Sequence, residues 1–176
     1  TQQASSCFDL SEDLTGILID QQLIDAGWEA DSLDLIYSKG ARPEKGKNKA
    51  IAEWTTSSPK ACADYVLFAG LLPVAIVEAK RKRINIADRI TQAERYAREF
   101  KIAPEHQQPW LLAGQSQPWS DGQGNSFRVP FAFACNGRPY IKQLAEQSGT
   151  WFRDLRSPAN TRRPLQDFHT PIDLLD

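Results

Sequence analysis

Two short apolar segments, residues 63–68 and 73–80, stand out in the pattern of hydrophobic and polar positions. Both are rich in Tyr, Val, Leu, Ile and Phe, the residue types that favour β-strands. The four residues between them, 69–72, include Gly70, which can adopt the backbone conformations of a tight turn. The pattern therefore predicts a β-hairpin.

The faces of this hairpin follow from the alternation of side chains along a strand. Val74, Ile76, Glu78 and Lys80 are expected on one face, which is apolar until its last two members. Asp64 lies at the start of the first strand, and a short hairpin brings that position close to the end of the second strand. Asp64, Glu78 and Lys80 are therefore expected to converge.

Two carboxylates and a lysine at one strand end suit hydrolysis of a phosphodiester. Asp64 and Glu78 can hold a hard divalent cation such as Mg²⁺, which prefers oxygen ligands. Lys80 can orient the attacking water and stabilise developing negative charge. The alternative is a solvated strand end with one surface ion pair, because Glu-x-Lys alone is short and common.

A first helix is predicted over residues 11–27. Ser11 is a candidate N-cap, and the following acids suit the positive end of the helix dipole. Gly27 is expected to end the helix. Apolar and amide side chains recur at helical spacing at Leu14, Ile17, Leu18, Gln21 and Ile24.

A second helix is predicted from about residue 85 to Phe100. Gln92 and Tyr96 lie four residues apart and so share a side of this helix, which we expect to border a cleft rather than the core. The predicted buried stripe consists of Ile86, Ile90, Ala93, Ala97 and Phe100.

Further strands or extended segments are predicted at residues 33–37, 50–56, 110–113, 131–135 and 139–141, with a polar loop over 115–126. Asn136-Gly137-Arg138 is typical of a hairpin turn. Within 50–56, Ile51, Glu53 and Thr55 alternate with Ala52 and Trp54, so Glu53 either faces the same cleft as Asp64 or is a solvated carboxylate. This order of elements predicts an α/β fold in which helices flank a central mixed β-sheet.

Composition and charge exclude several classes of protein. The 176 residues are 41% hydrophobic and carry a formal net charge of -1, so any DNA contact needs a local basic patch. The sequence has no apolar run long enough to predict a membrane-spanning helix. Three cysteines without metal spacing favour a reducing cytoplasm, and two histidines are too few for a typical zinc or Ser-His-Asp hydrolase. Because the chain contains no Met and begins at Thr1, we expect a processed chain or a fragment.

Two basic segments are candidates for DNA contact. Residues 39–49 contain five Lys or Arg and one acid, so they form either a solvated turn or a mobile clamp in which Lys45, Lys47 and Lys49 bind phosphates. Residues 80–83 place Arg81, Lys82 and Arg83 directly after Lys80, where they would attract a nucleic-acid strand.

Asp64 and Glu78-Ala79-Lys80 resemble the active-site core of PD-(D/E)xK nucleases, and Gln92-x-x-x-Tyr96 resembles the accessory motif of one branch of these nucleases. The chain is similar to the N-terminal nuclease domain of the R (restriction) subunit of type I restriction-modification enzymes. The similarity extends through LIDQQLIDAGW (18–28), NKAIAEWTT (48–56), ADYVLF (63–68), VAIVEAKR (74–81), QAERYA (92–97) and FACNGRPYI (133–141). Ala63 stands where the superfamily motif has Pro.

The resemblance implies a restriction-endonuclease-like fold, with a nuclease domain at residues 1–150 and an Arg- and Pro-rich connector at 151–176 leading to helicase-like motor domains. It implies Mg²⁺, with Mn²⁺ as a substitute, held by Asp64, Glu78 and the backbone carbonyl of Ala79. Glu12, or else Asp13, would be an additional acidic residue, and Gln92 and Tyr96 would contact DNA or water.

Outside the site, the resemblance implies cleavage of double-stranded DNA with little sequence preference, ATP use only by the motor domains, and partners that are the methylation (M) and specificity (S) subunits. The alternative is a nucleic-acid-binding or structural module with a degenerate site.

Overall fold

The computed structural model describes residues 13–58, 61–79, 87–135, 149–165 and 167–175. Four α-helices lie in these ranges: α1 Asp13–Asp25, α2 Ala87–Glu99, α3 Pro109–Leu112 and α4 Pro171–Leu175. Nine strands accompany them: β1 Glu29–Ala30, β2 Asn48–Ser58, β3 Ala61–Ala69, β4 Leu72–Ala79, β5 Trp119–Ser120, β6 Ser126–Phe127, β7 Phe131–Cys135, β8 Thr150–Asp154 and β9 Arg163–Leu165. In the described ranges, no helix combines the length and the apolar character needed to span a bilayer.

Seven of these strands form one mixed sheet in the order β1-β2-β3-β4-β7-β8-β9. The β1–β2 and β4–β7 pairs are parallel, and the other neighbours are antiparallel. Strands β5 and β6 form a separate small hairpin. Every residue of β4 is buried, as expected for a central strand that is covered on both faces.

Two hydrophobic clusters cover the two faces of the sheet. Side chains that alternate along β3 divide between them: Tyr65 and Leu67 belong to the first cluster, and Val66 and Phe68 to the second. Helix α1 packs into the first cluster and α2 into the second. The predicted fold class is therefore confirmed: helices flank a central mixed sheet, an arrangement compatible with the restriction-endonuclease-like fold.

The first predicted helix is present. The face that it buries differs from the one on which apolar and amide side chains recur at helical spacing. Helix α1 is followed by Gly27, whose φ of 103° is readily adopted by glycine. Ile19 and Leu23 are fully buried, whereas Ile17 and Ile24 are 50% and 46% exposed. The sheet dictates which side of the helix is covered. Ser11 and Glu12 lie outside the described residues.

Asp20 on this buried face anchors α1 to the sheet. Its carboxylate accepts hydrogen bonds from the Tyr65 hydroxyl and from the backbone N–H and hydroxyl of Ser32, each at 2.7 Å. Burial raises the pKa of Asp20, although these hydrogen bonds oppose the shift. A carboxylate with three donors is well satisfied despite its burial, so the contact orients the helix on β3.

The second helix agrees with its predicted stripe. Ile90, Ala93, Ala97 and Phe100 on or directly after α2 are buried, and Ile86 lies outside the described residues. A period of 3.6 residues identified this face correctly because α2 lies along the sheet and covers it with one continuous side.

Several other local predictions were wrong. Residues 110–113 belong mostly to the short helix α3, which Pro109 begins, rather than to a strand. Residues 33–37 contain a turn and the start of a 3₁₀ helix, Tyr37–Lys39, and only Ile36 forms an isolated bridge. The polar loop 115–126 contains the strand β5 and the start of β6.

Strand β2 is present, but its faces do not alternate as predicted. Ile51 and Trp54 contact the same hydrophobic cluster although they are three residues apart. Glu53, between them, has a φ of 53°, and this backbone distortion shifts the alternation.

Part of the predicted connector at 151–176 pairs with the central sheet. Strand β8 pairs with β7, and β9 pairs with β8, so both extend the central sheet. Phe152, Leu155 and Phe168 are buried. Strand β8 begins at the predicted boundary and covers one edge of β7. The predicted strand at 139–141 and its turn lie outside the described residues.

A buried ion cluster joins this C-terminal part to α2. Glu94, which is 3% exposed, receives two hydrogen bonds from Arg162, at 3.0 and 2.8 Å, and pairs with Arg153 at 3.1 Å. Arg162 also donates to Thr91 at 2.9 Å. Burial acts to raise the pKa of Glu94, but the two arginines together hold it below its usual value.

Replacing Glu94 tests this cluster. Glu94→Ala leaves Arg153 and Arg162 without their shared carboxylate, so we expect the free energy of unfolding to fall by about 3 kcal/mol, at the low end for a broken buried pair because Arg162 is partly exposed. Glu99→Ala on the same helix removes a carboxylate whose ion pair with Arg95 is long and at the surface, and it should cost less than about 0.5 kcal/mol. Chemical denaturation measures both; equal losses would contradict the assignment.

His106 is a core residue rather than a catalytic one. Its ring packs among Trp54, Phe68 and Phe100, and its Nδ1 accepts the Ala103 N–H at 3.0 Å. Its Nε2 is buried without a hydrogen-bond partner among the described residues. Burial lowers the pKa of His106, so the folded protein holds a neutral imidazole.

This histidine makes stability depend on pH. The unfolded chain binds a proton at His106 more readily than the folded one, so the stability that depends on the neutral ring is lost as the pH falls below about 6.5. We expect wild type to lose stability relative to His106→Phe between about pH 7.5 and 5.5, because other titrating groups are common to both proteins. Denaturation curves at several pH values measure this difference, and a constant difference would show that His106 does not titrate in this range.

Candidate metal site

The predicted hairpin is present, with one irregularity that alters its faces. Strands β3 and β4 are joined by Gly70 and Leu71, and Gly70 has a φ of 63°. The pairing shifts by one position between Leu67 and Phe68, so Val74 joins the first hydrophobic cluster together with Ala75. The predicted face was therefore wrong for Val74. Ile76 faces the second cluster, and alternation places Glu78 on the same side.

Asp64 and Glu78 meet at the end of this hairpin. They lie opposite each other, next to the Tyr65–Val77 pair. The backbone N–H of Asp64 donates to Oε2 of Glu78 at 2.9 Å, and the N–H of Ala79 donates to Oδ2 of Asp64 at 2.7 Å. Each carboxylate thus binds the other residue's strand, so the predicted convergence of these two side chains is present.

Both carboxylates are buried, with 8% of Asp64 and 3% of Glu78 exposed. Burial raises the pKa of Glu78 well above its usual range, and the negative charge of Asp64 raises it further. The Asp64 N–H and the positive charges of Arg89 and Arg95 act in the opposite direction. The pair therefore has an unfavourable concentration of negative charge that a cation would offset.

This donor set fits a hard divalent cation. Mg²⁺ is commonly held by one or two carboxylates and keeps several waters, and a hydrogen bond to one oxygen leaves a carboxylate able to accept further contacts. The residues that the structure describes contain no cluster of three or more acidic, His or Cys side chains suited to a metal. The predicted third ligand, the Ala79 carbonyl, is adjacent to Glu78, whereas Lys80 and Glu12 lie outside the described residues.

Helix α2 brings Gln92 and Tyr96 to the same region. The Gln92 side-chain amide donates to the Tyr96 hydroxyl at 2.8 Å. Burial raises the pKa of Tyr96, and the charge of Glu78 raises it further, which indicates that the phenol lies near that carboxylate. Tyr96 is only 5% exposed and belongs to the second cluster, so the expectation that it borders a cleft rather than the core was wrong. Gln92 is half-buried.

Comparison with known proteins gives the relationship of the chain. Residues 29–176 match the family model described as the type I restriction enzyme EcoKI endonuclease subunit second domain. The chain belongs to this family. It is 40% identical over 190 residues to the type I restriction enzyme EcoKI endonuclease subunit of Escherichia coli (strain K12). This alignment covers 99% of the chain and 16% of the relative, so the chain spans about a sixth of the relative's length. No solved structure matches significantly.

Family membership confirms the relationship that Asp64, the Glu78-Ala79-Lys80 segment and Gln92-x-x-x-Tyr96 indicated. These residues lie within a short stretch of the sequence. In the structure, the Asp64–Glu78 pair and the Gln92–Tyr96 pair lie close together. The roles of the individual side chains in this family member stay predictions.

The basic loop that was predicted to bind DNA lies at the other end of the hairpin. The Lys47 carbonyl accepts the N–H of Gly70, the turn residue, at 2.8 Å. Strand β4 then runs for about 20 Å from the turn to Glu78. Lys49 is 7% exposed and donates to the Arg42 carbonyl and to Glu44.

Lys45, Lys47 and Lys49 consequently do not border the carboxylate pair, and the buried Lys49 is already occupied by protein acceptors. Strand pairing, which short-range sequence patterns do not reveal, separates this loop from the site. Arg81, Lys82 and Arg83 lie outside the described residues.

Glu53 neighbours the site along the sheet. The register places it opposite Asp64, between the Ala52–Tyr65 and Trp54–Ala63 pairs. It does not complete a cluster of three carboxylates within the described part of the chain. The position of Glu53 in the sheet therefore supports the interpretation that it faces the same cleft as Asp64. No cluster of three carboxylates in the described residues supports a role for Glu53 as a metal ligand.

A charge-neutral substitution tests the cation site. Without divalent ions, Glu78→Gln should keep or raise the thermal midpoint at neutral pH, because the raised pKa of Glu78 means that its ionised form costs stability above the unfolded pKa. That cost should decrease once the pH falls below the folded pKa and should be absent below the unfolded pKa. Mn²⁺ should raise the midpoint of wild type and of Glu99→Gln, a surface control, but not that of Glu78→Gln.

Thermal unfolding with EDTA and with Mn²⁺ provides both comparisons. Equal stabilisation of wild type and Glu78→Gln by Mn²⁺ would remove Glu78 from the ligand set.

Proposed function

We propose that this chain is a Mg²⁺-dependent DNA endonuclease domain of a type I restriction enzyme R subunit. The observation that carries the proposal is the buried pair of carboxylates, Asp64 and Glu78, linked by reciprocal hydrogen bonds at the end of one hairpin. The name of its relative, an endonuclease subunit, supports the reaction class. The substrate is the phosphodiester backbone of double-stranded DNA.

Different residues of the chain have different roles in hydrolysis. Asp64, Glu78 and the Ala79 carbonyl hold Mg²⁺, for which Mn²⁺ can substitute. When bound, this cation supplies Lewis-acid stabilisation of negative charge on the phosphate. Lys80, two residues after Glu78 in the sequence, orients the attacking water and stabilises the negative charge that develops in the transition state.

Gln92 and Tyr96 have an accessory role. Tyr96 accepts a hydrogen bond from Gln92, and a phenol that accepts can still donate its own O–H. Because Tyr96 is held in the core beside Glu78, the pair can position water or DNA next to the carboxylates without moving during the reaction. Glu12 is retained as a candidate additional acid.

The larger enzyme supplies the remaining functions. We infer that M and S subunits recognise the DNA site, that ATP is used by motor domains outside these 176 residues, and that this domain cuts with little sequence preference in the cytoplasm. The sequence contains no G-x-x-x-x-G-K-[ST] motif, in agreement with an ATP site elsewhere.

Replacing the lysine tests the chemistry. Lys80→Ala should lower double-strand cleavage by the assembled restriction enzyme by about a hundredfold or more, because it removes an interaction made mainly in the transition state. Mn²⁺ binding and ATP-driven translocation should be retained. Lys101→Ala, which removes an exposed cation just beyond α2, is the matched control and should cut normally.

Two other outcomes are informative. Normal cutting by Lys80→Ala would exclude Lys80 from the reaction. A wild-type protein that neither binds Mn²⁺ nor cuts DNA would instead be a nucleic-acid-binding or structural module with a degenerate site.

A further inference from the structure

Helix α2, which packs against the strand that carries Glu78, contains two arginines close in sequence to Gln92 and Tyr96. Arg89, Gln92 and Tyr96 follow one another at three- and four-residue intervals and so share a face of the helix. Arg95 is adjacent to Tyr96, and its guanidinium carbon lies 5.0 Å from the centre of the Tyr96 ring. The helix thus carries two positive charges close to its Gln–Tyr pair.

The local contacts leave Arg95 able to reach a ligand. Its side chain is 49% exposed, and its ion pair with Glu99 is long, at 3.9 Å, between two solvent-accessible groups. Arg98, one turn further along, differs: it pairs with Asp121 at 2.9 Å and covers the ring of Phe127. Arg98 is therefore committed to the fold, whereas the contacts of Arg95 with the Tyr96 ring and with Glu99 leave about half of its side chain exposed.

Both Arg89 and Arg95 act electrostatically on Glu78. Their charges favour its ionised form and partly oppose the effects of burial and of Asp64. This influence agrees with the packing of α2 against β4, the strand that carries Glu78. A phosphate bound between these arginines and a cation at Asp64 and Glu78 would meet positive charge on both sides.

Within the described part of the chain, several other basic groups are either distant from the carboxylate pair or already paired. Lys47 lies at the turn end of the hairpin, about 20 Å along β4 from Glu78. Arg153 and Arg162 are paired with the buried Glu94. DNA that approaches two buried carboxylates is repelled unless cations lie close by, and α2 provides them.

We propose that Arg89 and Arg95 bind backbone phosphates of duplex DNA beside the Asp64–Glu78 site and so position the strand to be cut. The inference rests on the proposed function and specifies which residues receive its substrate. Arginine suits this role because its planar guanidinium can donate two parallel hydrogen bonds to one phosphate. Such contacts do not depend on base sequence, in agreement with low sequence preference.

The salt dependence of DNA binding measures phosphate contacts directly. The intact protein carries Glu78→Gln so that it does not cleave, and its affinity for a short fluorescent DNA duplex is followed by anisotropy over a range of KCl concentrations. Adding Arg89→Gln and Arg95→Gln should make the plot of log affinity against log salt less steep by about 1.8, since each phosphate contact contributes about 0.9. Affinity at about 0.1 M salt should fall at least about tenfold.

Matched variants separate charge from folding. Arg89→Lys with Arg95→Lys should retain most of the slope, and Lys101→Gln, which removes one exposed cation beyond α2, should leave it unchanged. Thermal midpoints of all variants are compared, so a loss of slope accompanied by unfolding is attributed to structure and contradicts the proposal.

An unchanged slope and affinity in the double glutamine variant would overturn the role of these arginines while leaving the nuclease proposal intact. Absence of DNA binding by the Glu78→Gln parent would instead contradict the proposed function, and this inference with it.

Discussion

The electrostatic repulsion between two buried carboxylates is the constraint around which this structure is organised. Asp64 and Glu78 are almost inaccessible to water, and each is held by a backbone N–H of the opposite strand. Burial and mutual repulsion make the doubly ionised pair unfavourable, as the raised pKa of Glu78 indicates. Such a pair is stable only where peptide dipoles, nearby arginines or a bound cation offset its charge. The same features that cost stability make the pair a good ligand for a divalent ion.

The two hydrophobic clusters hold this pair in place from opposite faces of the sheet. On one face, Asp20 hydrogen-bonds to Tyr65, the residue directly after Asp64, and ties α1 to β3. On the other face, Glu94 pairs with Arg153 and fixes α2 against β8. Tyr96 is thereby packed beside Glu78. Sites that rest on such strands and helices keep their geometry better than sites on loops, because core packing restricts the movement of each element.

Among the described residues, the positive charge near the site does not come from the loop at 39–49. Short-range composition identified the loop around Lys47, but the strand register places that loop at the opposite end of the hairpin. Arg89 and Arg95 are separated in the sequence and form no basic run, so composition did not indicate them. Their proximity to Glu78 exists only because α2 crosses β4 on the face that Glu78 occupies. For these two arginines, helix packing rather than local charge density brings the cations close to Glu78.

The sequence by itself determined the elements whose side chains repeat with one period: the hairpin, the two long helices, the strand at 131–135, and the motif that includes Asp64 and Glu78. Local periodicity is sufficient there because each element covers a hydrophobic surface with one regular face. Only the tertiary structure decided that Ile17 is exposed, that Val74 changes sides, and that residues 150–165 complete the sheet. These features depend on strand order, register shifts and contacts between residues far apart in the chain, which a local pattern does not encode.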